Sequence, residues 1–158
     1  MNPAIERTTA AALMAGLHAQ SLEDGWSEAD FETLLASPGV FSLLARANDA
    51  PLGFVLVRIA SDEAEILTLA VDPAFRRQGV GRALVVSAAE EAAKAGAGAL
   101  FLEVAEDNGP ALGLYETCDF ARIGRRSDYY ARGAERIDAL ILRRALNRAL
   151  AGHYAHKG

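Results

Sequence analysis

Three arginines and two glycines fall within seven residues, Arg76-Arg77-Gln78-Gly79-Val80-Gly81-Arg82, shortly after the apolar run that ends at Val71 and the Asp72-Pro73 pair. A strand that hands the chain to glycines opening a helix lets successive backbone N–H groups converge on an anion, because no Cβ blocks the approach. The chemistry such a segment offers is the cradling of a pyrophosphate, with Arg76, Arg77 and Arg82 adding positive charge at the rim. Two familiar phosphate ligands are excluded. A nucleotide-hydrolysing loop needs lysine and then serine or threonine after its last glycine, whereas Arg82-Ala83 follow Gly81. The dinucleotide fingerprint Gly-x-Gly-x-x-Gly fails at its third glycine, where Leu84 stands. What is left, Arg76-x-x-Gly79-x-Gly81, is by itself equally compatible with a plain turn before a helix.

The elements that must hold this loop follow from hydrophobic spacing. Ala10 to Gln20 places Leu13, Met14 and Leu17 at helical intervals. Ser27, followed by Glu28 and Asp30, has the pattern of an N-cap with acids in the first turn, and Phe31, Leu34 and Leu35 give that second helix its apolar stripe. Val40–Ala45, Leu52–Ile59 and Glu65–Val71 read as three strands joined by tight turns, hence antiparallel neighbours. Asp72-Pro73 ends the third, and a loop crosses 74–78. Gly79 to Ala95 is the longest helical stretch, with Val80, Leu84 and Ala88 on one face. A strand over Ala99–Ala105, a short helix over Pro110–Thr117 and strands over Phe120–Arg126 and Ile137–Arg143 complete the order. Strand, long helix, strand implies a parallel crossover within an otherwise antiparallel sheet, so the class is mixed α+β. Residues 1–146 are expected to form a single domain, with 147–158 as a fraying tail.

Composition narrows the field. At 158 residues the chain fits one domain, and 51% hydrophobic content with a net charge of −5 is too apolar for a disordered chain. One cysteine, Cys118, cannot make an internal disulfide or a thiolate zinc cage, which points to the reducing cytoplasm. The acidic balance argues against nonspecific nucleic-acid binding. No apolar run reaches the roughly 18 residues of a bilayer span, and the first residues lack the apolar core of a signal peptide. His18, His153 and His156 have no acidic or cysteine partners at ligand spacing and are read as non-metal residues. Cys118 is read as a small buried hydrophobe, since nothing in the sequence lowers its pKa.

The loop does not stand alone. Ile66-Leu67-Thr68-Leu69-Ala70-Val71-Asp72-Pro73 before it, Leu102-Glu103-Val104 on the next strand, Asn108-x-x-Ala111-x-x-Leu114-Tyr115 and then Phe120 together resemble the GNAT superfamily of N-acetyltransferases over nearly the whole chain. Within it, Trp26-Ser27, Arg126-Ser127-Asp128-Tyr129-Tyr130 and Asp138-Ala139 resemble segments of the RimI-type, ribosomal-protein-alanine N-acetyltransferases.

That resemblance implies the GNAT fold, a mostly antiparallel sheet with one splayed parallel pair, and acetyl-coenzyme A as cosubstrate without a metal. It places the pyrophosphate on Arg77, Gln78, Gly79, Val80, Gly81 and Arg82 and the pantetheine along Leu69, Ala70 and Val71, with Asn108 also binding the coenzyme. Glu103 becomes the proton acceptor, through water, where an ordinary carboxylate paired with an arginine is the alternative. Tyr115 becomes the general acid, since a phenol of pKa about 10 can donate to a thiolate whose conjugate acid titrates near about 8.5; a core aromatic is the alternative. Asn108 has a second reading as a helix N-cap, compatible with the first. The implied acceptor is a protein N-terminus, a ribosomal protein beginning with alanine, entering between the early helices, Trp26 among them, and a turn carrying Tyr129 and Tyr130, for which edge-strand aromatics are the alternative. A small amine, a lysine side chain, or a noncatalytic acyl-CoA-binding module are the competing functions. Departures from the pattern fall at Gly109-Pro110, Asp119, Asp128 and Ala131. Asp119 stands where a glycine is common and is expected to take the left-handed conformation at some cost.

Overall fold

The computed structural model describes residues 2–21 and 25–147; the expected tail beyond Asn147, with His153 and His156, lies outside them. The chain runs β1 (Ala4–Arg7), α1 (Ala11–Ser21), α2 (Glu28–Leu35), β2 (Val40–Ala47), β3 (Ala50–Ala60), β4 (Glu63–Val71), a 3₁₀ turn (Pro73–Phe75), α3 (Val80–Lys94), β5 (Ala99–Ala105), α4 (Gly109–Thr117), β6 (Ala121–Arg132) and β7 (Glu135–Ala145). The strands make one sheet in the order β1-β2-β3-β4-β5-β7-β6, in which only β4 and β5 are parallel.

The sequence expectations hold with small differences. β1 was not foreseen; it pairs with β2 from Ala4 opposite Arg46 to Arg7 opposite Leu43. Four residues with one half-buried side chain, Ile5, carry no period to detect. Ser27 makes a full capping box with Asp30, each side chain accepting from the other's backbone N–H at 3.1 and 2.9 Å. Pro110 is the second residue of α4 rather than the first, the helix starting at Gly109.

Apolar side chains fill both faces of the sheet. On one, Val80, Leu84, Val85, Ala88, Ala89 and Ala92 of α3 pack with Val55 and Val57 of β3 and Leu100, Leu102 and Val104 of β5. On the other, Met14 and Leu17 of α1 and Phe31 of α2 pack on Leu44, Phe54, Leu56 and Ala70. β4 changes sides partway. Ala64 and Ile66 belong to the α3 face, yet two positions further would put Thr68 and Ala70 there too, and Ala70 instead joins the α1 face. The cause is a bulge: Thr68 is opposite Leu56 and Ile66 opposite Val57, so Leu67 is extra on β4. A strand with one added residue inverts its alternation from that point.

Candidate active site

β4 and β5 pair only from Glu63 opposite Ala99 to Glu65 opposite Phe101. Beyond that the two strands part, and the second half of β4, Ile66 to Val71, has no β5 partner along its edge. The cleft so opened runs from the bulge at Leu67 to the loop before α3, with Leu69, Ala70 and Val71 along one side.

At the far end the chain turns into α3. Asp72 caps the 3₁₀ turn, accepting from the Ala74 N–H at 2.9 Å. Arg77 and Gly79 both have positive φ, 62° and 83°, and Gly79 is the N-cap of α3 with no side-chain cap. Ala83 is the first amide of the helix to find a carbonyl, that of Gly79 at 3.0 Å. Among the described residues nothing accepts from the amides of Arg77 to Arg82. Those donors lie at the positive end of a 15-residue helix, an arrangement that can receive an anion.

The two glycines serve different ends. A Cβ on Gly79 would meet nothing within 4 Å, so its role is the positive φ and an open approach to the amides. A Cβ on Gly81 would lie 3.1 Å from Cδ2 of Leu114, so that glycine lets α4 close onto α3. Arg82 also ties these helices, donating to the Thr117 carbonyl at 3.0 Å. Arg76 and Arg77 make no ion pair with a described carboxylate.

Glu103 alternates with Leu102 and Val104, which face α3, and so presents its carboxylate on the opposite face of β5. There it pairs with Arg126 of β6, Oε1 to Nε 2.8 Å, with the glutamate side chain 20% exposed and the arginine 55%. The arginine-paired carboxylate anticipated from sequence is therefore present. It borders a cavity of about 330 Å³ whose walls include Arg58, Glu65, Phe101, Arg126 and Ile141. The Arg126 guanidinium also lies 5.5 Å from the ring of Tyr129.

Tyr115, near the end of α4, is 8% exposed and packs edge-on to Phe120 with centroids 5.6 Å apart. Burial, with lesser contributions from Cys118 and Tyr130, pushes its phenol up to about 12. Tyr130 is half-buried, and its phenol is raised first by burial and then by the Glu103 carboxylate. Tyr130 is thus within electrostatic reach of both Glu103 and Tyr115, and the three groups belong to one neighbourhood. Asn108 is the N-cap of α4, its Oδ1 accepting from Ala111 N–H at 3.2 Å, which leaves its amide nitrogen for a ligand.

Tyr129 and Tyr130 sit not in a turn between strands but, as the alternative reading had it, on the edge strand β6, at a break in its register. Arg126 is opposite Ala139 and Tyr130 opposite Ile137, so the intervening stretch of β6 is longer than its partner. Asp128 takes φ 54° at the crest, its N–H bonded to Asp138 Oδ1 at 2.8 Å, while Arg125 bridges Asp138 and Glu106 at 2.6 and 3.0 Å. Those bonds hold the Asp138 carboxyl below its usual range. Trp26, just before α2, stacks on His18 at 5.0 Å and packs on Phe31. The acceptor-side residues named from sequence thus lie on the α1/α2 side and on β6.

Sequence reasoning missed the Leu67 bulge, Arg126 as partner of Glu103, and the surroundings of His18. The bulge had a signal in the adjacent apolar pair Ile66-Leu67, which breaks alternation; the other two had none, because they depend on contacts across the sheet. Among the described residues no group of three or more His, Cys, Asp or Glu side chains is placed to hold a metal ion.

The sheet has one splayed parallel strand pair, the helix between those strands opens on amides that no described group accepts from, and residues 11–120 match the acetyltransferase (GNAT) family. The chain belongs to that family. It is 38% identical over 95 residues to the [Ribosomal protein bS18]-alanine N-acetyltransferase of Escherichia coli, covering 60% of this chain and 64% of that one. It is 37% identical over 127 residues to the N-alpha-acetyltransferase RimI of Mycobacterium tuberculosis, covering 77% of each. The chain thus spans less than two thirds of the Escherichia coli relative, and it spans 34% of a longer Mycobacterium leprae protein that it also matches. Among solved structures, the ribosomal-protein-S18-alanine N-acetyltransferase from Escherichia coli superposes with a TM-score of 0.85 at 29% identity, over 92% of this chain and 94% of that one.

Proposed function

We propose that the protein transfers an acetyl group from acetyl-coenzyme A to the α-amine at the N-terminus of a protein, a ribosomal protein beginning with alanine, in the cytoplasm. The observation that carries this reading is the row of amides from Arg77 to Arg82, which no described group accepts from, at the mouth of the cleft between β4 and β5. The names of the relatives at 37–38% identity support the acceptor class.

On this reading the amides of Arg77 to Arg82 bind the coenzyme's pyrophosphate, Arg76, Arg77 and Arg82 compensate its charge, and the Asn108 amide nitrogen adds a donor. The edge of β4 at Leu69 to Val71, beyond the stretch paired with β5, binds the pantetheine as an added strand would. The cosubstrate supplies a thioester carbonyl, which the neutral amine attacks. A protein α-amine titrates near about 8, so a minority is neutral at pH 7 and a modest base suffices. Glu103 takes the proton from nitrogen through a water, and Arg126 yields to the acceptor or turns aside, being half in solvent. As the C–S bond breaks, Tyr115 donates its proton to sulfur; a phenol held at about 12 stays protonated throughout the physiological range. Both residues exchange protons with solvent to reset. Trp26, Tyr129 and Tyr130 line the approach of the acceptor.

A thiol-release assay tests this directly. Peptides beginning with alanine should release coenzyme A thiol far faster than small amines or the no-acceptor control, with acetate mass added at the peptide N-terminus. Equal rates with free amines would move the protein to the small-amine reading. Binding of acetyl-CoA without release would make it an acyl-CoA-binding module.

A further inference from the structure

The mechanism above leaves a buried histidine unused. His18, in the middle of α1, is 1% exposed and bonded at both ring nitrogens. Nδ1 accepts from the backbone N–H of Trp26 at 2.9 Å, and because an amide can only donate, this nitrogen carries no proton. The proton of the neutral ring is then on Nε2, 3.0 Å from Oγ1 of Thr68. The ring also stacks on the Trp26 indole at 5.0 Å and meets the edge of Phe31 at 5.5 Å. Thr68 faces α1 only because Leu67 is bulged, so the histidine grips β4 immediately past its bulge.

We propose that His18 is a positioning residue for the acceptor: Nδ1 fixes Trp26 and Nε2 fixes Thr68, so the imidazole sets the spacing between the wall that the amine passes and the strand edge that lines the cleft. The inference rests on the acetyl-transfer reading for the meaning of that spacing, but the coupling itself is a property of the folded chain. It has a sign. A protonated ring has two donors and no acceptor, so its Nδ1–H would oppose the Trp26 N–H and the wall would be released in acid. Among the described residues the ring faces Thr68 from β4, Phe54 from β3, Phe31 from α2 and Trp26 ahead of α2, none of them charged, and α1 itself carries no acid or other base. Burial alone lowers the histidine from its usual 6.5.

Two variants test it. His18→Gln keeps one acceptor and one donor but cannot titrate; His18→Phe keeps the stack and loses both hydrogen bonds. Trp26 is the chain's sole tryptophan, so its emission, which shifts when the indole leaves the imidazole and meets solvent, reports His18 without any assay of activity. In the wild type the emission maximum should move to longer wavelength with acid, midpoint below 6.5, and should not move in His18→Gln. With an alanine-starting peptide, His18→Phe should raise the peptide KM at least about fivefold while the acetyl-CoA KM stays within about twofold, and His18→Gln should restore the wild-type value near pH 7. A flat wild-type emission titration, an unchanged peptide KM in His18→Phe, or equal rises in both KM values would overturn the proposal. A wild type that binds acetyl-CoA and acetylates no amine would overturn the functional reading and with it the acceptor role, while the emission titration separately decides whether His18 governs Trp26.

Discussion

Glu103 is the residue whose chemistry depends most on a neighbour. Its carboxylate is already engaged by Arg126, so any base function requires the guanidinium to share it with, or give way to, the incoming amine. Tyr115 has the opposite situation, a phenol sealed against Phe120 whose proton the fold retains. Tyr115→Phe is expected to lower kcat by about 10²–10⁴-fold while leaving acetyl-CoA affinity nearly unchanged; stopped-flow turnover alongside calorimetric titration would show it. The pH dependence has a definite sign. A phenol raised from 10 to about 12 contributes stability that is complete below pH 10 and is lost as pH climbs toward 12, so any alkaline fall in kcat below pH 10 belongs to another group. Asp119 makes a separate, structural prediction. It adopts φ 68° just past α4, the left-handed state expected from its place in the sequence. Asp119→Gly should therefore stabilise the chain by about 0.5–1 kcal/mol, measured by urea unfolding.

At the scale of elements, the turn into α3 and the bulge in β4 make the cleft. Gly79→Asp would set a carboxylate over amides that no described group accepts from; its Cβ has room, and aspartate tolerates the φ of 83° better than most residues. Affinity for acetyl-CoA should fall at least about tenfold by calorimetry, with the uncharged Gly79→Asn as the control for backbone cost. Helices and strands were legible because their periods differ and because Ser27, Pro38, Pro73 and Gly96 punctuate them. The glycine loop and the helix that follows it were likewise readable as elements. What the sequence could not resolve was which glycine does which task, since Gly81 owes its smallness to Leu114, thirty-three positions later. Nor could it resolve where β4 inverts, because a bulge is a statement about two strands at once.

At the scale of the molecule, β3 is enclosed on both faces, with Phe54, Val55, Leu56 and Val57 all fully buried between the two apolar layers. Hydrogen exchange should accordingly be slowest at the amides of β3 and its neighbours β2 and β4, and fastest in β1 and β6 at the sheet's two margins. Faster exchange in β3 than in β6 would contradict this division of the core. Tyr129 and Tyr130 lie on that less protected margin, where the local geometry depends on ionic and hydrogen-bond ties such as those of Asp138.

Among the described residues the twelve-residue β6 has no strand along its outer side, and Ile123 stands 54% exposed on it. A rim of free peptide groups that long is a template onto which a second molecule could zip. Two interruptions of its pairing and the cations Arg122, Arg125, Arg126 and Arg132 spoil the template. The kink that carries the paired tyrosines therefore also acts as a guard against self-association, and straightening it should yield a stickier, filament-prone protein.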